Sequence, residues 1–186
     1  MGKQYNGIDA SLRAFIVAQR VFFVATAPSG YEGHVNLSPK GLDTLRILGP
    51  RTIAYQDFVG SGIETISHLR QNGRIVLMLC SFAGPPRILR LYGRGEAVEP
   101  QDDAFPSLLA RFPQATGVRA IIRVEVEIIA DSCGYGVPLF RFEGHRTQLP
   151  AWADSKGEAE LLDYQRNNNA LSLDGLPGLR WTGEKD

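Results

Sequence analysis

A chain of 186 residues with 44% apolar content can bury a substantial core within one domain and is too apolar to be globally disordered. Twenty Lys and Arg balance twenty Asp and Glu, with no long run of either sign, which argues against nucleic acid or an anionic membrane as the main partner. With no cationic leader and no run of about 18 apolar residues, a soluble cytoplasmic protein is expected, with Cys80 and Cys133 reduced.

Ile8 to Gln19 spaces Leu12, Phe15, Ile16 and Ala18 as an amphipathic helix, with Asp9 near its start. Val21 to Ala27 is β-branched and aromatic, and it pairs as a hairpin with His34 to Leu37 across Pro28-Ser-Gly30. Leu45 to Leu48 and Thr52 to Gln56 read as strands flanking Gly49-Pro50. From Ile63 the period becomes helical: Ile63, Ile66 and Leu69 form one stripe, while Glu64, His68 and Gln71 face elsewhere, so His68 is expected at the surface. Asn72-Gly73 ends that helix, since both residues tolerate the left-handed conformation.

Arg74 to Phe82 and Arg87 to Val98 read as long strands joined by Gly84-Pro85-Pro86. Asp102 to Phe112 is expected to be helical, with Pro106 near its start. In Val118 to Ile129, the residues Val118, Ala120, Ile122, Val124, Val126 and Ile128 share one strand face. The polar tail from about Asp154 carries one helical patch, Ala159 to Arg166, before a loop rich in Gly and Pro. Strands that do not alternate with helices imply a mainly β fold, a small antiparallel barrel with peripheral helices. The expected organisation is a barrel domain over residues 1–150, N-terminal helix included. A helical and loop extension over 151–186 would pack on the barrel or on a partner.

Three segments could build a pocket for a phosphorylated cofactor. Ser38 and Lys40, stiffened by Pro39, could both donate to a phosphate, or the segment is a solvated turn. Gly60-Ser61-Gly62 could bring backbone N–H groups to an anion, or Ser61 and Glu64 could form a capping box. Arg90 and Arg94 share a strand face with Tyr92 and could grip a cofactor or a second subunit, or simply be solvated. Gly93-Arg-Gly95 lacks a dinucleotide fingerprint and reads as a bulge. His34, His68 and His145 have no paired metal-ligand spacing, no Gly-x-Ser-x-Gly elbow occurs, and nothing near Cys133 in sequence is placed to activate its thiol.

The order of HVNLSPKG, IAYQDFVGSGIETISHLRQNGRI, PPRILRLYGRG and SCGYGVP resembles the pyridoxamine 5'-phosphate oxidase-related family of FMN-binding split barrels, over roughly Ala10 to Pro138. The resemblance implies a six-stranded antiparallel Greek-key split barrel, a homodimer, and FMN in two clefts between subunits. By position it implies Asn36, Ser38 and Lys40 on the first flavin-contacting strand and Tyr55 and Asp57 on the next. Gly60, Ser61 and Gly62 match the phosphate turn, and Arg90 would reach the flavin from the other subunit.

Two departures matter. True pyridoxamine phosphate oxidases carry two basic residues where this chain has Gly60 and Ser61, and they end in an Arg- and His-bearing substrate segment not found in this chain. FMN binding is therefore implied without vitamin B6 oxidation. The expected activity is flavin-dependent oxidation or reduction of a small molecule; the alternative is a non-catalytic protein that stores or senses FMN, a deazaflavin or haem.

Overall fold

Eight strands and five helices follow one another in a computed structural model that describes residues 2–183. The strands are β1 (Gln4–Tyr5), β2 (Phe22–Thr26), β3 (Asn36–Lys40), β4 (Leu45–Ile47), β5 (Thr52–Phe58), β6 (Arg74–Cys80), β7 (Ile88–Val98) and β8 (Val118–Ser132). The helices are α1 (Ala10–Ala18), α2 (Glu64–Asn72), α3 (Phe105–Leu109), α4 (Gln148–Ser155) and α5 (Glu158–Asn168). All pairings are antiparallel, in the order β3-β2-β6-β7-β8-β5-β4, and the sheet curls around a main apolar core, with a smaller cluster under α3 that includes Val98, Phe105, Leu108 and Ile121.

The six strands that the resemblance implies become eight through two short segments, β4, which the sequence predicts as a strand, and β1, which it does not. Fifteen-residue β8 outlasts β5, whose pairing stops at Glu125, so the free edge at Ile129 and Ala130 is taken up by two-residue β1. Three-residue β4 likewise covers the outer edge of β5.

Local chemistry explains the helix ends. Asp9 Oδ1 accepts from the Leu12 N–H at 2.8 Å, capping α1. Gly73 closes α2 at φ 67°, a conformation that strains any residue with a Cβ. The expected Ser61–Glu64 capping box does not form: Ile63 is the N-cap, and the Glu64 carboxylate lies beside Gly62 with one oxygen accepting from the Leu173 N–H at 3.2 Å.

His68 is also corrected, from surface to fully buried. The polar side of α2 is covered from Glu64 to Ser67 by the chain around Leu173 and Leu176, and β2 lies against the helix. α3 is shorter than expected. α4 has no counterpart among the expected elements, and its Pro150 sits in the first turn, where a missing N–H costs nothing.

The strand alternation holds except where a bulge resets it. Tyr92 pairs with Ile128 but Gly93 pairs with Val126, which leaves Glu127 as the extra residue. Ile128 therefore leaves the inward set and is 47% exposed, while Ile129 takes its place in the core. A Cβ on Gly93 would sit 2.1 Å from the Glu125 carbonyl oxygen, so the bulge expected at this glycine depends on it. Gly93→Ala should cost at least about 1–3 kcal/mol in urea unfolding. Gly136→Ala, which meets nothing within 4 Å, should stay within about 0.5 kcal/mol. Equal effects at the two sites would show that the close approach does not matter.

Candidate functional site

Alternation along β3 turns Asn36, Ser38 and Lys40 to one face, and Leu37 and Pro39 to the other. Under that face lies Asp57 of β5, which is 1% exposed. Its Oδ1 accepts from Lys40 Nζ at 2.8 Å and its Oδ2 from Arg119 Nε at 2.8 Å. Arg119 reaches it because the β5–β8 register slips there: Asp57 pairs with Ala120 and Phe58 with Val118, so Arg119 is a bulge residue whose side chain turns inward. Burial pushes the Asp57 carboxyl up, but Arg119 and Lys40 more than reverse this and hold it at about 2.

The rest of the Arg119 guanidinium fixes the turn before α2. Its Nη1 donates to the Gly60 carbonyl at 3.2 Å and its Nη2 to the Gly62 carbonyl at 2.6 Å. Asn169 Nδ2, from the segment after α5, adds a second donor to Gly60 at 2.8 Å. In a planar trans peptide the N–H points opposite to the carbonyl. The N–H groups of Ser61 and Ile63 are thus aimed away from the guanidinium, and among the described residues they donate to no protein acceptor.

A hydrogen-bonded chain runs inward from β3. Ser38 Oγ donates to Asn36 Oδ1 at 3.0 Å, and Asn36 Nδ2 donates to the hydroxyls of Thr65 at 2.9 Å and Thr26 at 3.3 Å. Thr26 in turn lies 3.0 Å from His68 Nδ1. Burial lowers the His68 pKa, against the opposite pull of Asp174 and Glu64, so the ring is neutral at the end of the chain.

These groups surround a cleft of about 300 Å³ bounded by Asn36, Ser38, Lys40, Gly60, Gly62 and Thr65. Five of the nine residues singled out from sequence thus line one space. Asp57 supports it from beneath. Tyr55 is fully buried: its ring packs edge-on to Phe22, and burial pushes its hydroxyl well above its ordinary value. Ser61 is exposed beside the cleft. Arg90 lies away from the cleft, on the outer face of β7, donating to Ser132 Oγ at 3.1 Å. Sequence reasoning misses Arg119, Thr65 and Asn169. Nothing local marks Arg119 out from Arg123 in the same strand, and simple alternation assigns both to the outer face.

The family model described as pyridoxamine 5'-phosphate oxidase matches residues 8–133. A pyridoxamine 5'-phosphate oxidase family protein from Aspergillus flavus, ustO, is 39% identical over 193 residues, covering 94% of this chain and 77% of the relative. The chain belongs to the pyridoxamine 5'-phosphate oxidase family.

Among solved structures, a single-residue variant of HupZ from Group A Streptococcus superposes with a TM-score of 0.52 at 22% identity, covering 67% of this chain and 99% of the other. A Lactobacillus delbrueckii protein provisionally named a pyridoxamine 5'-phosphate oxidase gives 0.53 at 16% identity, with 68% and 98% coverage. At these identities the likeness establishes the fold, the split barrel of the pyridoxamine 5'-phosphate oxidase family. Among the described residues no helix is long and apolar enough to cross a membrane, and no group of three or more His, Cys, Asp or Glu side chains could hold a metal ion.

The Asp57 carboxyl titrates lower in the folded chain, about 2, than its ordinary 3.8. Its stabilisation is complete above about pH 4 and lost as the pH falls through about 2, and at neutral pH it amounts to about 2–3 kcal/mol. Urea unfolding from neutral to acid pH should show Asp57→Asn losing less stability on acidification than the parent chain. Parallel losses in the two proteins would exclude Asp57 as the source.

Proposed function

We propose that this chain is an FMN-binding flavoprotein, a homodimer that uses the flavin to oxidise or reduce a small molecule in the cytoplasm. Asn36, Ser38, Lys40, Gly60, Ser61 and Gly62 flank the cofactor in this reading, Tyr55 and Asp57 support them from beneath, and Arg90 comes from the second copy. The observation that carries the reading is the turn locked by Arg119, whose outward N–H groups suit a phosphate.

The residues fit that group. Lys40 and Arg119 against Asp57 leave one net positive charge on the β3 side of the cleft, with the Glu64 carboxylate in the opposite part of its wall. Among the described residues the Lys40 ammonium makes one hydrogen bond, so two of its three N–H groups can reach an anion. Glu64 keeps one oxygen beside Gly62 while the other accepts from the Leu173 N–H, so a phosphate would sit on the Lys40 side of the turn. A bound flavin would supply hydride transfer at its ring. The chain's part is to hold the phosphate, orient the ring and exclude water. With Gly60 and Ser61 in place of two basic residues, the reading does not extend to vitamin B6 as substrate.

A second copy is favoured by the outer sheet face. Val76, Tyr92 and Ile128 stand in register across β6, β7 and β8, and Tyr92 and Ile128 are 40% and 47% exposed. Light scattering at micromolar concentration with FMN present should give a dimer; a monomer would count decisively against it.

The purified protein should show flavin bands near about 370 and 450 nm. A Soret band would shift the assignment to haem, and a colourless protein that FMN does not stabilise against heat would sink the flavin reading. Lys40→Ala should weaken FMN roughly ten- to hundredfold while leaving riboflavin, which has no phosphate, nearly unchanged. The loss should shrink with rising salt. Equal losses for both ligands would mean that Lys40 acts through the ring pocket or through Asp57.

A further inference from the structure

Beside the cleft lies a larger cavity of about 830 Å³, within the size range of small-molecule sites. The two share Pro39, Lys40, Gly41, Leu42 and Leu149 in their walls, so they adjoin. The outer wall comes from the segment after β8, beyond the residues 8–133 that carry the family match.

That segment has no regular secondary structure, yet it is fastened to the barrel at defined points. The Phe140 N–H donates to the Phe82 carbonyl at 2.9 Å, and the two rings stack at 5.4 Å with 20° between planes. The Arg20 guanidinium lies 5.5 Å over the Phe142 ring, and His145 meets the same ring edge-on at 5.0 Å. Phe23 completes the apolar wall.

The charge of the lining is one-sided. Arg20, Lys40, Arg141 and Arg146 contribute to it, and no Asp or Glu does. Lys40 is engaged by Asp57, and Arg141 has Glu143 at 3.7 Å. Among the described residues Arg20 and Arg146 have no carboxylate partner, and Arg20 is already oriented by the ring beneath it.

We propose that this cavity is a substrate site for small aromatic carboxylates, the planar body lying among Phe23, Phe82 and Phe142 and the anion meeting Arg20 and Arg146. A guanidinium fork matches a carboxylate, and aromatic walls match a flat apolar body. No carboxylate in the lining can receive an ammonium, so amines are excluded from this wall. The cavity stands on its own geometry; only the role of its occupant as substrate rests on the flavin reading.

The test titrates 2-naphthoate, the neutral 2-naphthamide and the cationic 2-naphthylmethylamine into the protein by calorimetry, without and with saturating FMN, while absorbance near about 450 nm follows the flavin separately. The expected order is naphthoate at least roughly tenfold tighter than the amide, with the amine weakest. The double variant Arg20→Gln/Arg146→Gln should remove the preference for the anion and leave amide binding and FMN retention unchanged. Phe142→Ala should weaken naphthoate and the amide alike.

Equal affinity for all three ligands, no binding, or an anion preference that survives the double variant would overturn the site. Displacement of FMN by naphthoate would also overturn it, assigning the cavity to the flavin ring. Naphthoate binding in a protein that never takes up FMN would leave the site standing and sink the flavin reading alone.

Discussion

The carboxylate of Asp57, buried between two cations, is the constraint on which the site depends. An isolated carboxylate in that position would be costly, and removing either partner would leave charge without compensation. Lys40 and Arg119 each bind one oxygen, so a single side chain ties β3, β5 and β8 together at one point. Arg119 has donors to spare, and these carry the constraint out to the turn before α2. The direction of the turn's N–H groups is thus set from within the barrel, through one guanidinium.

A second buried carboxylate does similar work for the end of the chain. Glu99 is fully buried after β7, accepts from Arg70 of α2, and receives both the backbone N–H of Arg180, at 3.0 Å, and its Nε, at 3.3 Å. Leu179 joins the apolar core beside this clamp. With the chain held there, Asn169 reaches Gly60 and the backbone near Leu173 and Leu176 covers α2. The burial of His68 follows from that cover, and so does the neutral ring that ends the hydrogen-bonded chain from Ser38.

The two adjoining cavities differ in chemistry because they are built from different material. The smaller is walled by strand ends and a helix-entry turn, whose backbone amides and short polar side chains suit a compact anion. The larger is walled by aromatic rings and arginines on a segment pinned to the barrel by stacking. Such a segment can vary without disturbing the sheet, since few of its backbone groups enter the ladder. Family membership therefore fixes the barrel more firmly than it fixes what the larger cavity admits.

Much of the architecture was legible in the residues. The β-branched runs, the change to helical period at Ile63 and the Asn72-Gly73 stop are local signals, each set by steric preference or by burial of alternate side chains. The quoted motifs also brought Asn36, Ser38, Lys40, Gly60 and Gly62 to one cleft. What remained hidden depends on contacts between distant segments. Ile128 and Arg119 changed faces because bulges reset the alternation, and a bulge is decided by how two strands pair. Ser61 has no capping role because α2 starts with Ile63 at its N-cap, and the Glu64 carboxylate finds a partner 109 residues away. His68 reads as polar-face and exposed until the end of the chain folds over it. The sequence by itself determined which segments are strands and helices and which residues carry charge or hydrogen bonds. The tertiary structure alone decided which of those groups are buried, paired or left free, because solvent exclusion and hydrogen-bond partners are set by neighbours far along the chain.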